Sequence, residues 1–306
     1  MMKFTKMHGL GNDYIYVDLF QEHVPDAPRL ARAVSDRHFG IGSDGLILVG
    51  PPSEQEADLR MRIFNADGSE AAMCGNGIRC VARFAVERGL CVSNPLRVQT
   101  GNGVLGVTWR RTTDGAFHAS VHMGTPRFAC GDIPACVPGV PAHQSMLSYS
   151  LPENFWKDLQ GPHDWMAESG VESTLSLVNV GNAHAVAWCA DVAKIPLETI
   201  GPRLERYSWF PDRINVHVAQ VIGPSAIRMR TWERGSGITL ACGTGASAVG
   251  VAAMAQQRVR GPLVVHLPGG ALDIAWDGEG HTVVMSGPAT LVGEGTLAPH
   301  LAAEAG

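Results

Sequence analysis

Two cysteines in this chain carry the same short sequence. Cys74-Gly75-Asn76-Gly77 and Cys242-Gly243-Thr244-Gly245 each place a thiol directly before Gly-x-Gly. Each unit opens a segment with apolar residues at helical spacing, so each thiol is predicted at a helix start. Free backbone N–H groups and the positive end of the helix dipole favour an anion there. That placement lowers a thiol pKa and makes a thiolate base plausible near neutral pH. The same N–H groups suit a carboxylate whose α-carbon is becoming a carbanion, and glycine lets a ligand approach the backbone closely. A lone cysteine of this kind reads more readily as a buried structural residue. Two in matched positions point instead to a pair of proton carriers, one for each face of a single carbon atom.

The match belongs to a longer repeat. At a shift of 168 positions, Leu59-Arg60-Met61-Arg62-Ile63-Phe64 falls on Ile227-Arg228-Met229-Arg230-Thr231-Trp232, and Cys74 falls on Cys242. At 167, Leu96, Val98, Gly103, Leu105 and Trp109 meet Leu263, Val265, Gly270, Leu272 and Trp276. Met123-Gly124-Thr125-Pro126 echoes Met285-Ser286-Gly287-Pro288. Such a repeat predicts two similar halves facing each other, with one thiol in each.

The elements that must position the thiols follow from local pattern. Asp26 to His38 is predicted as a helix stopped by Gly40, and Asn76 to Arg88 as a helix with Ile78, Val81, Phe84 and Ala85 on one face. Gly245 to Gln257 is its Ala-rich counterpart. Tyr14-Ile15-Tyr16-Val17 and Leu46-Ile47-Leu48-Val49 read as buried strands, and Leu59 to Asn65, Ala185 to Trp188, Asn215 to Val218 and Ala226 to Trp232 as further strands. Hairpins are predicted from Leu96 to Trp109 and from Leu263 to Trp276. Asp132 to Ser173, rich in Pro and polar residues, is predicted as an ordered connection with a short helix and no chemistry.

At 306 residues the chain has room for two ordinary domains, and its 45% hydrophobic content suffices for two cores. A formal net charge of −5 with no Lys/Arg run argues against a nucleic-acid partner. No apolar stretch is long enough to span a membrane, and the N-terminus lacks a signal-peptide core. Seven cysteines, an odd number set mostly beside apolar residues, fit reduced thiols in a cytoplasmic protein. Zinc is disfavoured because neither Cys74 nor Cys80 is completed by a Cys-x-x-Cys or a nearby His pair. Gly101-Asn102-Gly103-Val104-Leu105-Gly106 matches the dinucleotide fingerprint but leads into a strand, so it is read as a hairpin turn. Glu233-Arg234, just after a strand and shortly before Cys242, suits either a substrate's ammonium and carboxylate groups or a surface ion pair. Gly11-Asn12 recurs as Gly181-Asn182. His184, two residues on, suits either thiol tuning or a buried core histidine.

With these residues in place, the chain resembles the diaminopimelate epimerases. The resemblance rests on Met7-His8-Gly9-Leu10-Gly11-Asn12-Asp13, Phe64-Asn65-Ala66-Asp67-Gly68-Ser69-Glu70, Met73 to Gly77, Gly181-Asn182-Ala183-His184, Glu233-Arg234-Gly235 and Ala241 to Gly245. It runs in order from the N-terminus to about Glu294. It implies a cofactor-independent enzyme, without metal, that interconverts LL- and meso-diaminopimelate on the route to lysine and peptidoglycan. The implied fold is α/β (α+β), with two pseudo-symmetric domains, each a curved mixed or antiparallel sheet around a central helix. The C-terminal strand returns to the first domain, giving 1–122 with 288–306 around Cys74, and 123–287 around Cys242. By the same resemblance Cys74 and Cys242 are the base and acid, and Gly75, Asn76, Gly243 and Thr244 bind the reacting carboxylate. Asn12, Asn65, Asn182, Asn215, Glu233 and Arg234 hold the amino and carboxylate groups, and His184 and Glu233 tune the thiols. A homodimer is compatible with it.

Three positions depart from the family pattern. Gly45 stands where Gln is frequent, Ala183 where Pro is usual, and Ile238 where Glu is common, so contacts at the first and third are expected to be missing. Two relatives of the same fold remain as rivals: proline racemase-like enzymes, which have no need of Glu233-Arg234, and the phenazine-biosynthesis isomerases, which lack the cysteine pair. A non-catalytic amino-acid binder is the third alternative.

Overall fold

The computed structural model describes residues 2–306. The chain forms two compact units, one made of the residues up to His122 together with Ser286–Gly306, the other of Met123–Met285.

In the first unit the sheet runs Thr290–Thr296, Lys3–Gly9, Asn12–Asp18, Gly45–Gly50, Leu59–Asn65, Leu96–Thr100, Gly103–Arg111, Phe117–His122, each strand bonded to the next. Asn12–Asp18 with Gly45–Gly50, and Leu59–Asn65 with Leu96–Thr100, are parallel; the other pairs are antiparallel. Both faces are covered, which is why the central strands are apolar throughout instead of alternating. On one side Ile15, Val17, Leu46, Leu48 and Phe64 pack with Leu30, Ala31 and Val34 of the helix Ala27–Ser35, and with Leu297 and Leu301. On the other lies the helix Gly75–Glu87. There Tyr16 stacks on Phe84 with centroids 6.0 Å apart and donates its hydroxyl to the Gly77 carbonyl at 3.3 Å. The helix expected from Asp26 to His38 stops at Ser35. Asp36 leaves the helical conformation and accepts hydrogen bonds from the His38 and Phe39 N–H groups at 2.7 and 2.8 Å, turning the chain.

The second unit repeats the plan. Its sheet runs Tyr149–Ser150, Thr174–Asn179, Ala183–Trp188, Asn215–Gly223, Ala226–Glu233, Leu263–Leu267, Gly270–Ala275. Even the register recurs: Leu59 lies opposite Val98 and Ile227 opposite Val265, while Tyr14 lies opposite Gly45 and His184 opposite Asn215. The helix Gly243–Ala255 lies against the Thr174–Asn179, Ala183–Trp188 and Asn215–Gly223 strands. It begins two residues earlier than its pattern suggests because Cys242 itself caps it. The ends of the unit are tied by Met123 N–H to Val283 C=O at 2.8 Å and Val283 N–H to Gly124 C=O at 2.9 Å.

The Asp132–Ser173 connection holds two short helices, Phe155–Asp158 and Trp165–Ser169, rather than one. Its Phe155, Trp156 and Trp165 join Trp209 in the core over Leu175, Leu177, Ala185, Ala187, Val216 and Val218. Its contribution is therefore the second covering layer of this sheet. The helix Leu197–Glu205 had no expectation, because Gly201 and Pro202 break its pattern. Gly201 is required by packing: a Cβ there would lie 2.7 Å from Cγ of Trp232.

Candidate active site

Cys74 and Cys242 occupy the same local structure. Both are N-caps in extended conformation, with φ/ψ of −136/116° and −123/108°. Each Sγ accepts the N–H of the third following residue, Gly77 or Gly245, at 3.3 Å. The short Cys side chain takes the place that Ser or Asp ordinarily fills at a helix start. The thiols differ in access, however. Cys74 is half-buried, whereas Cys242 is only 4% exposed.

The second glycine of each unit faces the sheet rather than a ligand. A Cβ at Gly245 would lie 2.3 Å from Cε1 of His217, and one at Gly77 would lie 2.7 Å from Cδ1 of Ile47. These glycines let the helix start sit close on the strand beneath, a packing role that the motif alone does not reveal.

Around Cys74 the strand Asn12–Asp18 supplies Asn12 and Tyr14 on the same face, two residues apart. The thiol donates to Asn12 Oδ1 at 3.4 Å, and Asn76 Nδ2 donates to the same oxygen at 3.4 Å. Asn12 Nδ2 is held by Asp44 at 2.8 Å. Asn76 is fixed from behind by Arg79, which donates to Asn76 Oδ1 and to the Gly75 carbonyl, both at 3.0 Å. Arg79 is fully buried. The buried Tyr14 hydroxyl is hydrogen-bonded with Cys74 and Asn12, and its pKa is pushed well up, first by desolvation and then by the neighbouring thiol. Asn65 lies in the next strand but one, opposite Gly45, and donates to Ser69 Oγ at 3.0 Å.

Gly45 has a physical reason. A Cβ there would stand 2.1 Å from the Phe64 carbonyl oxygen and 2.9 Å from Cε1 of Tyr14. The contact expected to be missing is thus absent because the Phe64 carbonyl and the Tyr14 ring fill that space.

In the second unit, Glu233 and Arg234 end the strand Ala226–Glu233. Burial raises the Cys242 pKa well above its ordinary value, and the nearby Glu233 carboxylate, hydrogen-bonded with the thiol, raises it further. The helix-start amides act in the opposite direction and lose. The expectation of a lowered thiol pKa therefore fails for Cys242: its resting form is the protonated thiol. Thr239 Oγ1 donates to Glu233 at 2.6 Å, and Thr244 Oγ1 lies 3.5 Å from the sulfur. Ile238, the third departure, is 43% exposed and points no polar group at the thiol.

The Arg234 turn is built by two residues. Asn215 Oδ1 accepts the Arg234 N–H at 3.0 Å while its Nδ2 donates to the Ala183 carbonyl at 2.9 Å. Glu205, nearly fully buried, accepts from Gly235 N–H at 3.2 Å and from Trp232 Nε1 at 2.7 Å. The exposed Arg234 side chain donates to the Asp212 carbonyl at 3.0 Å. Asn215 thus holds the turn. Asn182 accepts from the fully buried His184 at 2.7 Å. Desolvation pushes the His184 pKa well down, so this histidine is neutral.

Sequence reasoning missed Tyr14, Asp44, Arg79, Glu205 and His217. Two of these carried a signal: Tyr14 and His217 follow Asn12 and Asn215 by two residues on strands, and so share their faces. Arg79 stood out only as a charge on an apolar helix face. Asp44 and Glu205 depend on tertiary contacts that no local pattern records. Among the described residues no cluster of His, Cys, Asp and Glu suits a metal ion, and no helix is long and apolar enough to cross a membrane.

Comparison with known proteins gives concordant findings. The family model for diaminopimelate epimerase matches residues 4–129 and 176–292. The chain is 44% identical over 297 residues to the diaminopimelate epimerase of Ectopseudomonas mendocina, covering 97% of this chain and 99% of that one. It is 43% identical to that of Azotobacter vinelandii, with the same coverage. Among solved structures it is similar in fold to a Bacillus anthracis phenazine biosynthesis protein of the PhzF family, at a TM-score of 0.68 and 16% identity over 97% of this chain and 99% of that one. A probable proline racemase from Agrobacterium radiobacter matches at a TM-score of 0.65 and 16% identity, over 99% of this chain and 96% of that one.

Proposed function

The chain belongs to the diaminopimelate epimerase family, enzymes of the racemase and epimerase class, and we propose that it inverts one α-carbon of diaminopimelate by two-thiol proton transfer. The observation that carries the mechanism is the matched capping of Cys74 and Cys242, with each sulfur on the third amide at 3.3 Å. In the direction from LL to meso, Cys74 as thiolate removes the α-proton, and the electron pair is left on the α-carbon beside its carboxylate. Cys242, held as a thiol by burial and Glu233, delivers its proton to the opposite face. The turnover leaves Cys74 protonated and Cys242 as thiolate; the reverse reaction uses them in that state.

The amides at Gly75-Asn76 and Gly243-Thr244 stabilise the carboxylate as its charge grows. Glu233 and Arg234 suit the amino and carboxylate groups, and Asn12, Asn65, Asn182 and Asn215 complete the polar lining. The reading places the enzyme on the route to lysine and peptidoglycan, working in the cytoplasm without a cofactor, on a small-molecule substrate and compatible with a homodimer. Incubation with LL-diaminopimelate in deuterium oxide tests it: meso product with deuterium at the inverted carbon is expected. Exchange with proline but not with diaminopimelate would sink the substrate assignment, and exchange with neither would leave a binding protein.

A further inference from the structure

Beneath the Cys242 helix lies a line of hydrogen bonds that the proton-transfer chemistry does not use. His184 Nε2 is 2.7 Å from Asn182 Oδ1, His184 Nδ1 is 2.8 Å from His217 Nε2, and His217 Nδ1 is 3.1 Å from Thr231 Oγ1. His184 and His217 are fully buried and Thr231 nearly so. The first unit has no such line. At the repeat-related positions it carries Tyr14, Ile47 and Ile63, so the histidine pair and its threonine belong to the Cys242 half alone.

The donors can be assigned from one end. An amide oxygen only accepts, so His184 Nε2 must carry the hydrogen. A neutral imidazole has one N–H, so His184 Nδ1 is bare and accepts from His217 Nε2–H. His217 Nδ1 is then bare in turn and accepts the Thr231 hydroxyl proton. We infer that His217, set by Thr231, is a positioning residue: it fixes the His184 tautomer and thereby holds Asn182 Oδ1 toward His184, which turns the Asn182 amide N–H groups toward a ligand. An N–H group only donates, so in this orientation Asn182 suits a carboxylate. This deepens the proposed function and rests on it for the identity of that carboxylate; the tautomer assignment stands apart from it.

The geometry also explains why the ring cannot drift. Its Cε1 fills the space left by Gly245, as the 2.3 Å approach of a notional Cβ there shows.

The test uses the full chain with ¹⁵N-labelled histidine. Long-range ¹H–¹⁵N spectra of the ligand-free protein are expected to show His184 and His217 each as the single Nε2–H tautomer. Thr231→Val, close in shape, removes the first donor and should leave His217 exchanging between tautomers. His217→Phe should release His184 and raise KM for diaminopimelate roughly five- to tenfold, the scale of one lost neutral hydrogen bond, with a smaller change in kcat. His217→Gln, which keeps an N–H toward His184, should restore both the His184 spectrum and KM. An Nδ1–H tautomer at His184 overturns the inference. So does an unchanged His184 spectrum in both His217→Phe and Thr231→Val, which stay informative through Thr231→Val alone if the Phe variant fails to fold. A correct tautomer in a protein that does not turn over diaminopimelate would instead count against the proposed substrate.

Discussion

Burial and the Glu233 carboxylate together raise the Cys242 pKa, and Cys242 is buried where Cys74 is half-buried. Alkylating reagents attack the thiolate and need access. Iodoacetamide is therefore expected to modify Cys74 well before Cys242, with peptide mass mapping as the readout and the exposed Cys136 as internal reference; faster loss of Cys242 would contradict the protonated-thiol assignment. Cys74→Ala and Cys242→Ala should each lower turnover by at least ~10²–10⁴-fold, the usual worth of one positioned acid or base. Arg234→Ala should raise KM for diaminopimelate by about tenfold or more, because a charge-assisted pair contributes about 1.5–3 kcal/mol. An unchanged KM would reduce Arg234 to a residue that only bonds the Asp212 carbonyl. The thiols and the Asn12 and Asn182 pair stood out in the sequence because a repeat aligns them, and Glu233-Arg234 stood out as two opposite charges just after a strand. The direction of the Cys242 pKa was not: helix position is a local property, whereas desolvation depends on everything packed around the sulfur.

The helix that carries each thiol is seated by its second glycine, and the two seats differ in stiffness. At Gly245 the obstacle is the His217 ring, bonded through both nitrogens; at Gly77 it is the flexible ends of Ile47 and Met61. Gly245→Ala should consequently destabilise by about 1–3 kcal/mol, as overpacking does, and Gly77→Ala by clearly less. Urea midpoints decide between this order and its reverse. The buried histidines add a pH dependence to the same strand. Their folded pKa values are depressed, to about 3 for His217. Above the ordinary value of about 6.5 both states of the chain leave them neutral and stability is unaffected. As pH falls below that value the unfolded chain takes up protons that the folded chain cannot, so stability is lost below about 6.5, for His217 down to about 3, at up to about 1.4 kcal/mol per pH unit for each histidine. His217→Gln should flatten this slope; an identical slope would mean that His217 is not buried neutral. At this scale the central strands and both thiol helices followed from periodicity, whereas Lys3–Gly9, Phe117–His122, Thr174–Asn179 and Thr290–Thr296 had no such signal. The helix Leu197–Glu205 did not, because Gly201 and Pro202 answer to the packing of Trp232 rather than to helix propensity.

For the whole molecule the repeat was the strongest signal, since a duplicated plan requires the two halves to share their element order, and the structure adds a shared register. The Asp132–Ser173 connection was opaque for the opposite reason: its aromatic residues have no partner in the repeat and gain meaning only as a core layer. The central claim is that each thiol serves one face of one α-carbon. A thiol carries a single proton, so the hydrogen removed and the hydrogen delivered must differ. The decisive measurement is the deuterium content of both isomers in the first few per cent of conversion of LL-diaminopimelate in deuterium oxide. Meso product fully deuterated at the inverted carbon, formed beside unlabelled remaining LL substrate, is the expected result. Meso product that retains the original protium would mean that one group carries the same hydrogen across, and the two-thiol account would be wrong.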